Sequence, residues 1–115
     1  MSNAITITKN RLFTLYIYAY NGENVLTLGE GEKLIFGVKR RTTDTSYVIK
    51  KELTSANMAS TNDKYLLSLS AAETDLQIGD YYYDVAYKNA NGKLHKVIGI
   101  TPLKIEDSVV RSADV

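Results

Sequence analysis

The residues that could do chemistry in this chain are few in kind. His95 is the only histidine, and there is no cysteine. A nucleophilic triad needs a nucleophile, a base and an orienting group, so His95 would have to be the base. It stands between Leu94 and Lys96 on what reads as the return strand of a hairpin, with no nucleophile motif beside it. A solvent-facing strand histidine is the ordinary reading. Glu73, Asp75, Asp80 and Asp84 form the densest acidic run. Calcium wants about six to eight oxygens from a shaped loop, and this run lacks the order of an EF-hand. A carboxylate pair for glycoside cleavage would need a cleft between its members. Solvated turn residues, some of them capping, are therefore expected. Lys39, Arg40 and Arg41 would form a basic ridge with Lys50 and Lys51 if their strands pair, fit for phosphate or an acidic protein surface. Gly29-Glu30-Gly31 is not followed by the lysine of a phosphate loop. No catalytic, cofactor-binding or metal-ligating residue is expected.

The tyrosines say more. Nine tyrosines and two phenylalanines supply every aromatic ring, without tryptophan. Tyr16, Tyr18, Tyr20 and Tyr82 fall on strand faces opposite the inferred core. A tyrosine ring is apolar and its tip polar, so an outward tyrosine stacks on a sugar or buries in a protein interface. These four are the candidate contact face. The alternative is that loops cover both sheet faces.

Composition narrows the setting. At 115 residues the chain fits one domain, taken as 1–115. Fourteen basic against 13 acidic residues, net +1, leave no sustained positive field, so nucleic acid is not an expected partner. Without cysteine there are no disulfides or thiolate metal sites. A hydrophobic content of 44% is too high for a disordered chain. Residues 1–10 alternate Ile and Thr where a signal peptide needs an apolar run. No stretch reaches the ~18 apolar residues of a spanning helix. Synthesis in the cytosol without a membrane anchor is the expectation. Ser2-Asn3-Ala4 resembles a cloning scar.

The elements that must position these residues are strands. From Leu12 to Tyr20 the period is two: Phe13, Leu15, Ile17 and Ala19 point one way, Thr14 and the tyrosines the other. Asn21-Gly22 is a turn signal. Lys33–Lys39 repeats the alternation with Leu34, Phe36 and Val38 inward. Gly37, on the other face, marks a close approach or a bulge. Arg40–Ser46 reads as a loop. Tyr47–Leu53 reads as a strand with Tyr47, Ile49 and Leu53 in phase, and its charges mark a sheet edge. Thr54–Asp63 reads as a loop, and Tyr65–Ser70 as a strand. Ser70 and Glu73 have the spacing of a capping box on a short helical turn. Tyr81–Lys88 and Leu94–Ile100 pair through the Asn89-Ala90-Asn91-Gly92 turn. Pro102 implies a kink or an edge. Residues 108–115 read as a flexible tail. Seven to eight short strands at roughly ten-residue spacing argue a β-sandwich or barrel.

The sharpest local signal is Leu76-Gln77-Ile78-Gly79-Asp80-Tyr81, of the form L-x-x-G-x-Y. That is the pattern of the tyrosine corner of Greek-key β proteins, where the phenol bonds back to upstream backbone. Gly79 would permit the arch, Leu76 would fill the core beneath it, and Tyr81 would be buried with its hydroxyl near Gln77. This is a structural role and occurs in sandwiches of every function.

The run Ser68-Leu69-Ser70-Ala71-Ala72-Glu73-Thr74 followed by Leu76-Gln77-Ile78-Gly79-Asp80-Tyr81-Tyr82-Tyr83-Asp84-Val85 resembles the small immunoglobulin-like domains of phage tail and baseplate proteins. The N-terminal domain of upper baseplate proteins in phages of Gram-positive bacteria is the type it is similar to. Phe13-Thr14-Leu15-Tyr16-Ile17, Leu26-Thr27-Leu28, Glu32–Lys39, Ile98-Gly99-Ile100 and Leu103-Lys104-Ile105 extend the likeness from Leu12 to Asp107. The resemblance implies an immunoglobulin-like Greek-key β-sandwich and a non-enzymatic structural role in a virion, binding other virion or tail proteins, with a homo-oligomer as one form. It implies no catalytic residues and no cofactor. The long C-terminal part of the baseplate proteins is not represented in these 115 residues. A carbohydrate-binding module for a surface glycan is the alternative, with Tyr16, Tyr18, Tyr20 and Tyr82 as its platform.

Overall fold

A computed structural model describes residues 4–107, so the expected tail at 108–115 and residues Ser2 and Asn3 lie outside it. The described chain is all β apart from one 3-10 turn. In order the strands are β1 (Ile5–Thr8), β2 (Phe13–Ile17), β3 (Tyr20–Asn21), β4 (Asn24–Val25), β5 (Lys33–Lys39), β6 (Ile49–Leu53), β7 (Tyr65–Leu69), β8 (Gly79–Lys88) and β9 (Leu94–Glu106). Five of them form a mixed sheet in the order β1-β9-β8-β5-β6. Its one parallel pair is β1 with β9, Ile5 opposite Leu103. β2 and β7 form a second, antiparallel sheet, and β3–β4 a small hairpin.

Strict alternation builds the core between the sheets. Leu34, Phe36 and Val38 of β5, Tyr81, Tyr83 and Val85 of β8, and Leu103 and Ile105 of β9 are all buried. From the other sheet come Ile17 of β2 and Tyr65, Leu67 and Leu69 of β7. One apolar cluster contains them all. Each such side chain contributes about 1.5–3 kcal/mol by leaving water.

Among the described residues every buried side-chain polar atom has a hydrogen-bond partner, and the way they are satisfied ties the connections down. The Tyr65 hydroxyl, in the core, donates to the Leu26 carbonyl at 2.6 Å and accepts from the Leu28 amide at 3.0 Å. It thereby fixes the β4–β5 connection. Burial pushes the Tyr65 phenol above its usual range. Among the described residues Thr74 is the one fully buried polar residue. Its hydroxyl donates to the Arg11 carbonyl at 2.7 Å and accepts from the Arg11 amide at 3.0 Å, joining the β1–β2 turn to the β7–β8 connection. The Tyr81 hydroxyl donates to the Gln77 carbonyl at 2.6 Å, and Tyr81 is buried as expected. Gly79 has φ +147°, a region L side chains rarely adopt. Leu76 packs half-buried against the core.

Ser70 and Glu73 form the reciprocal cap: the Ser70 amide donates to the Glu73 carboxylate at 3.0 Å and the Glu73 amide to the Ser70 hydroxyl at 3.2 Å. They close turns rather than a helix. Lys51, whose phase on β6 is that of the core, reaches Glu73 at 2.9 Å and closes the open end between the sheets.

Several expectations change. Ile5–Thr8 is a strand, because its Ile/Thr alternation lets Ile5 and Ile7 bury against β9. The Leu12–Tyr20 strand splits, and Leu12 is exposed. Tyr47 precedes β6 and is not in core phase: its ring lies outside the sheet, on Gly37. A Cβ on Gly37 would stand 2.5 Å from the Tyr47 ring, so the glycine marks a close approach. The Thr54–Asp63 loop contains a 3-10 turn at Ser55–Asn57, capped by Thr54. β9 continues through Pro102 to Glu106, with two register shifts against β8. From Leu94 to Pro102 its outer edge has no partner strand among the described residues.

Two measurements check this account. Tyr65→Phe strands an acceptor and a donor in the core and should lower the unfolding free energy by about 1–3 kcal/mol in urea titration. The hydrogen bond from the Ser70 amide and the bond from Lys51 hold the Glu73 carboxyl below its ordinary pKa. Stability from that shift is present above the unfolded-state value, about 4.3, and is lost as pH falls through the lower folded-state value. Unfolding midpoints of Glu73→Gln should therefore fall less steeply than wild type across that acid range.

Candidate functional site

The structure disperses most of the charged groups that spacing in sequence had brought together. Glu73 pairs with Lys51, and Asp75 with Lys9 at 2.9 Å. Asp80 and Asp84 instead lie exposed on β8. Among the described residues no three His, Asp or Glu side chains gather as a metal would require. The basic ridge breaks for a geometric reason. Lys50 and Lys51 are neighbours on a strand and point to opposite faces. Arg40 turns onto the Tyr81 ring, 5.1 Å from its centroid, and donates to the Gln77 side chain and the Tyr81 hydroxyl at 3.2 Å. Arg41 pairs with Asp44 at 3.6 Å. Only Lys39 and Lys50 converge, over the Tyr47 ring at 4.7 and 5.7 Å from its centroid. His95 is exposed and stacks on Tyr87 with ring centroids 5.8 Å apart. The Tyr87 phenol donates to Glu32, which lowers the Glu32 pKa and raises that of Tyr87.

The four candidate tyrosines do not share one face. Tyr16 stands on β2 opposite Leu66 of β7, on the outer side of the two-stranded sheet. Lys64 lies over Tyr16 and Tyr18, 4.8 and 5.8 Å from their centroids. Tyr20 sits on the β3–β4 hairpin opposite Val25. These three are about half exposed. Tyr82 belongs to the five-stranded sheet, on its outer side between Lys39 of β5 and Pro102 of β9. Alternation within a strand gives two faces, but it does not say which sheet a strand joins.

Tyr16, Tyr18 and Tyr20 border a furrow where the sandwich stays open between β2 and the unpaired edge of β9. One hollow of about 420 Å³ is lined by Ile5, Leu15, Tyr18, Val97 and Ile98 among others. A second, of about 330 Å³, adjoins it at Val97 and is lined by Tyr20, Leu26, Tyr87 and His95. An apolar floor with tyrosine rims suits the burial of a partner's side chains.

The outer face of the five-stranded sheet carries a second aromatic surface. Tyr47, Tyr82 and Ile100 ring a dimple of about 90 Å³ floored by Gly37 and Asp84. Tyr47 was masked in the sequence by its apparent phase with Ile49. Gly37, a glycine in the middle of an apolar strand, was the available signal for it. Lys64, Leu94 and Ile100 carried none, since single exposed residues of these types are common.

No protein-family model matches the chain, and no curated protein is similar to it. No helix among the described residues is long and apolar enough to cross a membrane.

If the furrow tyrosines serve contact rather than folding, their loss should be tolerated. The double variant Tyr16→Ala, Tyr18→Ala should fold and unfold within about 1 kcal/mol of wild type by urea titration, as half-exposed substitutions do.

Proposed function

We propose that the chain is a non-enzymatic assembly module of a phage or prophage virion, an immunoglobulin-like Greek-key β-sandwich associated with the tail or baseplate that binds other virion proteins. The observation that carries this reading is the aromatic furrow. Tyr16, Tyr18 and Tyr20 stand half exposed around an apolar floor, while Glu73 and Asp75 of the acidic run are engaged by Lys51 and Lys9. The Greek-key assignment is supported by connections that pass from sheet to sheet at β2–β5, β6–β7 and β7–β8. The bond from the Tyr81 phenol to the Gln77 carbonyl, over Gly79, supports reading Leu76, Gly79 and Tyr81 as a tyrosine corner. The resemblance of Ser68–Val85 to baseplate domains supplies the virion setting.

A second reading, a carbohydrate-binding module, is favoured by one observation: the neighbouring Tyr16 and Tyr18 rings, with Lys64 over both, offer a stacking surface. The two readings separate in one comparison. Tagged chain is used to capture purified tail proteins encoded beside its gene, and is applied in parallel to a cell-wall glycan array. The assembly reading expects capture that Tyr18→Ala with Tyr20→Ala weakens, and a blank array. Glycan binding without capture would reverse the assignment.

A further inference from the structure

The furrow looks onto backbone. Consecutive residues of a strand point to opposite faces, so a hollow lined by several in succession faces the strand's edge. The larger hollow is lined by Leu15, Tyr16, Ile17 and Tyr18 in unbroken order, with Val97 and Ile98 across from them. The smaller one is lined by His95, Lys96 and Val97 on the β9 side. β2 has β7 on one side and, among the described residues, no partner strand on the other. The far edge of β7 is covered: Met58 bridges to Tyr65, and the Ala59 amide donates to the Lys64 carbonyl at 2.9 Å. Burial falls off toward the open edge. Leu67 and Leu69 of β7 are fully buried, whereas their cross-strand partners Leu15 and Phe13 are only partly so. Val97 and Ile98 are also only partly buried. One further row of apolar side chains would complete the cover of all four.

We infer that the edge of β2 takes an extended segment of a partner protein as an added strand. Main-chain bonds to an open edge give such a contact its affinity, and the alternate side chains give it specificity. The segment lengthens the two-stranded sheet and turns every second side chain in against Val97 and Ile98. β2 is the strand fit for this. Phe13 to Tyr18 holds no charge, no proline and no glycine. β6 in contrast carries Lys50, Lys51 and Glu52, and β9 has register shifts and Pro102, the devices that refuse a strand. The groove also sets the chemistry of the segment. Leu15 to Tyr20 runs about 17 Å, room for a strand of about five residues, apolar at alternate positions and free of proline, which could not donate to the ladder. The residues lining the two hollows include no carboxylate, and Lys96, exposed and without an ion pair, is their one ammonium. An acidic residue at the end of the segment nearest Lys96 completes the match in charge.

The inference rests on the assembly reading and names how the furrow holds its partner. The probes are the purified tail proteins encoded beside the gene and overlapping synthetic peptides spanning their sequences. Peptides with alternate apolar residues and a terminal acid should bind the full chain. Hydrogen exchange should show edge-facing amides of Phe13–Tyr18 slowed on binding and those of β6 unchanged. N-methylation of the bound peptide should weaken it about tenfold per methyl on the edge that pairs and have no effect on the other edge. Val97→Lys places a charge in the groove, and Lys96→Glu, a surface change, repels the acid. Each should weaken the peptide about tenfold or more, and Lys96→Glu should retain the unfolding transition of the wild type. Capture of a tail protein with no slowing at Phe13–Tyr18, or a peptide indifferent to N-methylation on both edges, would overturn strand addition and leave the assembly reading standing. A chain that dimerises alone with those amides protected would assign the edge to a second copy and overturn the inference. A chain that captures no tail protein and no peptide would defeat the assembly reading and this inference with it.

Discussion

A buried phenol must find a partner for its hydroxyl, and the sandwich depends on that requirement more than on any other. With no tryptophan and two phenylalanines, the core draws on tyrosine for large rings. Each ring brings apolar area and one polar group that cannot be left unsatisfied. The solution is the same at the buried Tyr65 and Tyr81 and at the half-buried Tyr87: the hydroxyl reaches past the core and donates to a connection, at Leu26, Gln77 and Glu32 respectively. Connections that would otherwise be held by their own turn chemistry are held from inside. The core and the loops are therefore one cooperative unit.

A related economy governs the charged and hydroxyl groups near Thr74. Lys9, Arg11, Thr74, Asp75 and Leu76 form a clasp at one end of the molecule, with the Lys9 ammonium shared between the Leu76 carbonyl and Asp75. Lys51 and Glu73 close the sandwich at β6, between the two sheets. Two ion pairs, Lys9 with Asp75 and Lys51 with Glu73, are spent on these joints. This is why the acidic run from Glu73 to Asp84 builds no site: its members belong to a turn, a clasp and the outside of a strand.

Much of this was legible in the sequence where a rule is local. The alternation of β5 and β8, the Asn-Gly hairpin, the Ser70–Glu73 cap and the bond from Tyr81 to Gln77 each follow from a few neighbouring residues. The charged edge strand was readable from Lys50, Lys51 and Glu52, and β6 does end the sheet. What escaped was set by partners distant in the chain. β1 is a strand because β9, nearly a hundred residues on, is there to pair with it. Tyr82 leaves the other three tyrosines because its strand joins the other sheet. Tyr47 leaves the core because the Val48 amide bonds to the Val38 carbonyl at 2.8 Å, which sets the chain entering β6 beside β5. The Ile/Thr alternation of β1 permits a strand, but nothing within five residues of these positions names the partner that decides each outcome.

The edges of the larger sheet bear on how the molecule can associate. One end is β6, with Lys50, Lys51 and Glu52 along it. On β9, the stretch from Leu94 to Pro102 is broken by two register shifts and ends in a proline. Charge, bulges and proline are the devices by which natural sheets refuse another strand. Hydrophobic exposure, in contrast, lies on faces and in the furrow: Tyr47, Tyr82 and Ile100 on one side, and Tyr16, Tyr18 and Tyr20 on the other. Backbone pairing is open-ended and propagates, whereas side-chain contact on a shaped face closes on a defined partner. Blunted edges with aromatics kept on the faces disfavour strand addition to this sheet and leave side-chain surfaces, not backbone, as its exposed apolar area.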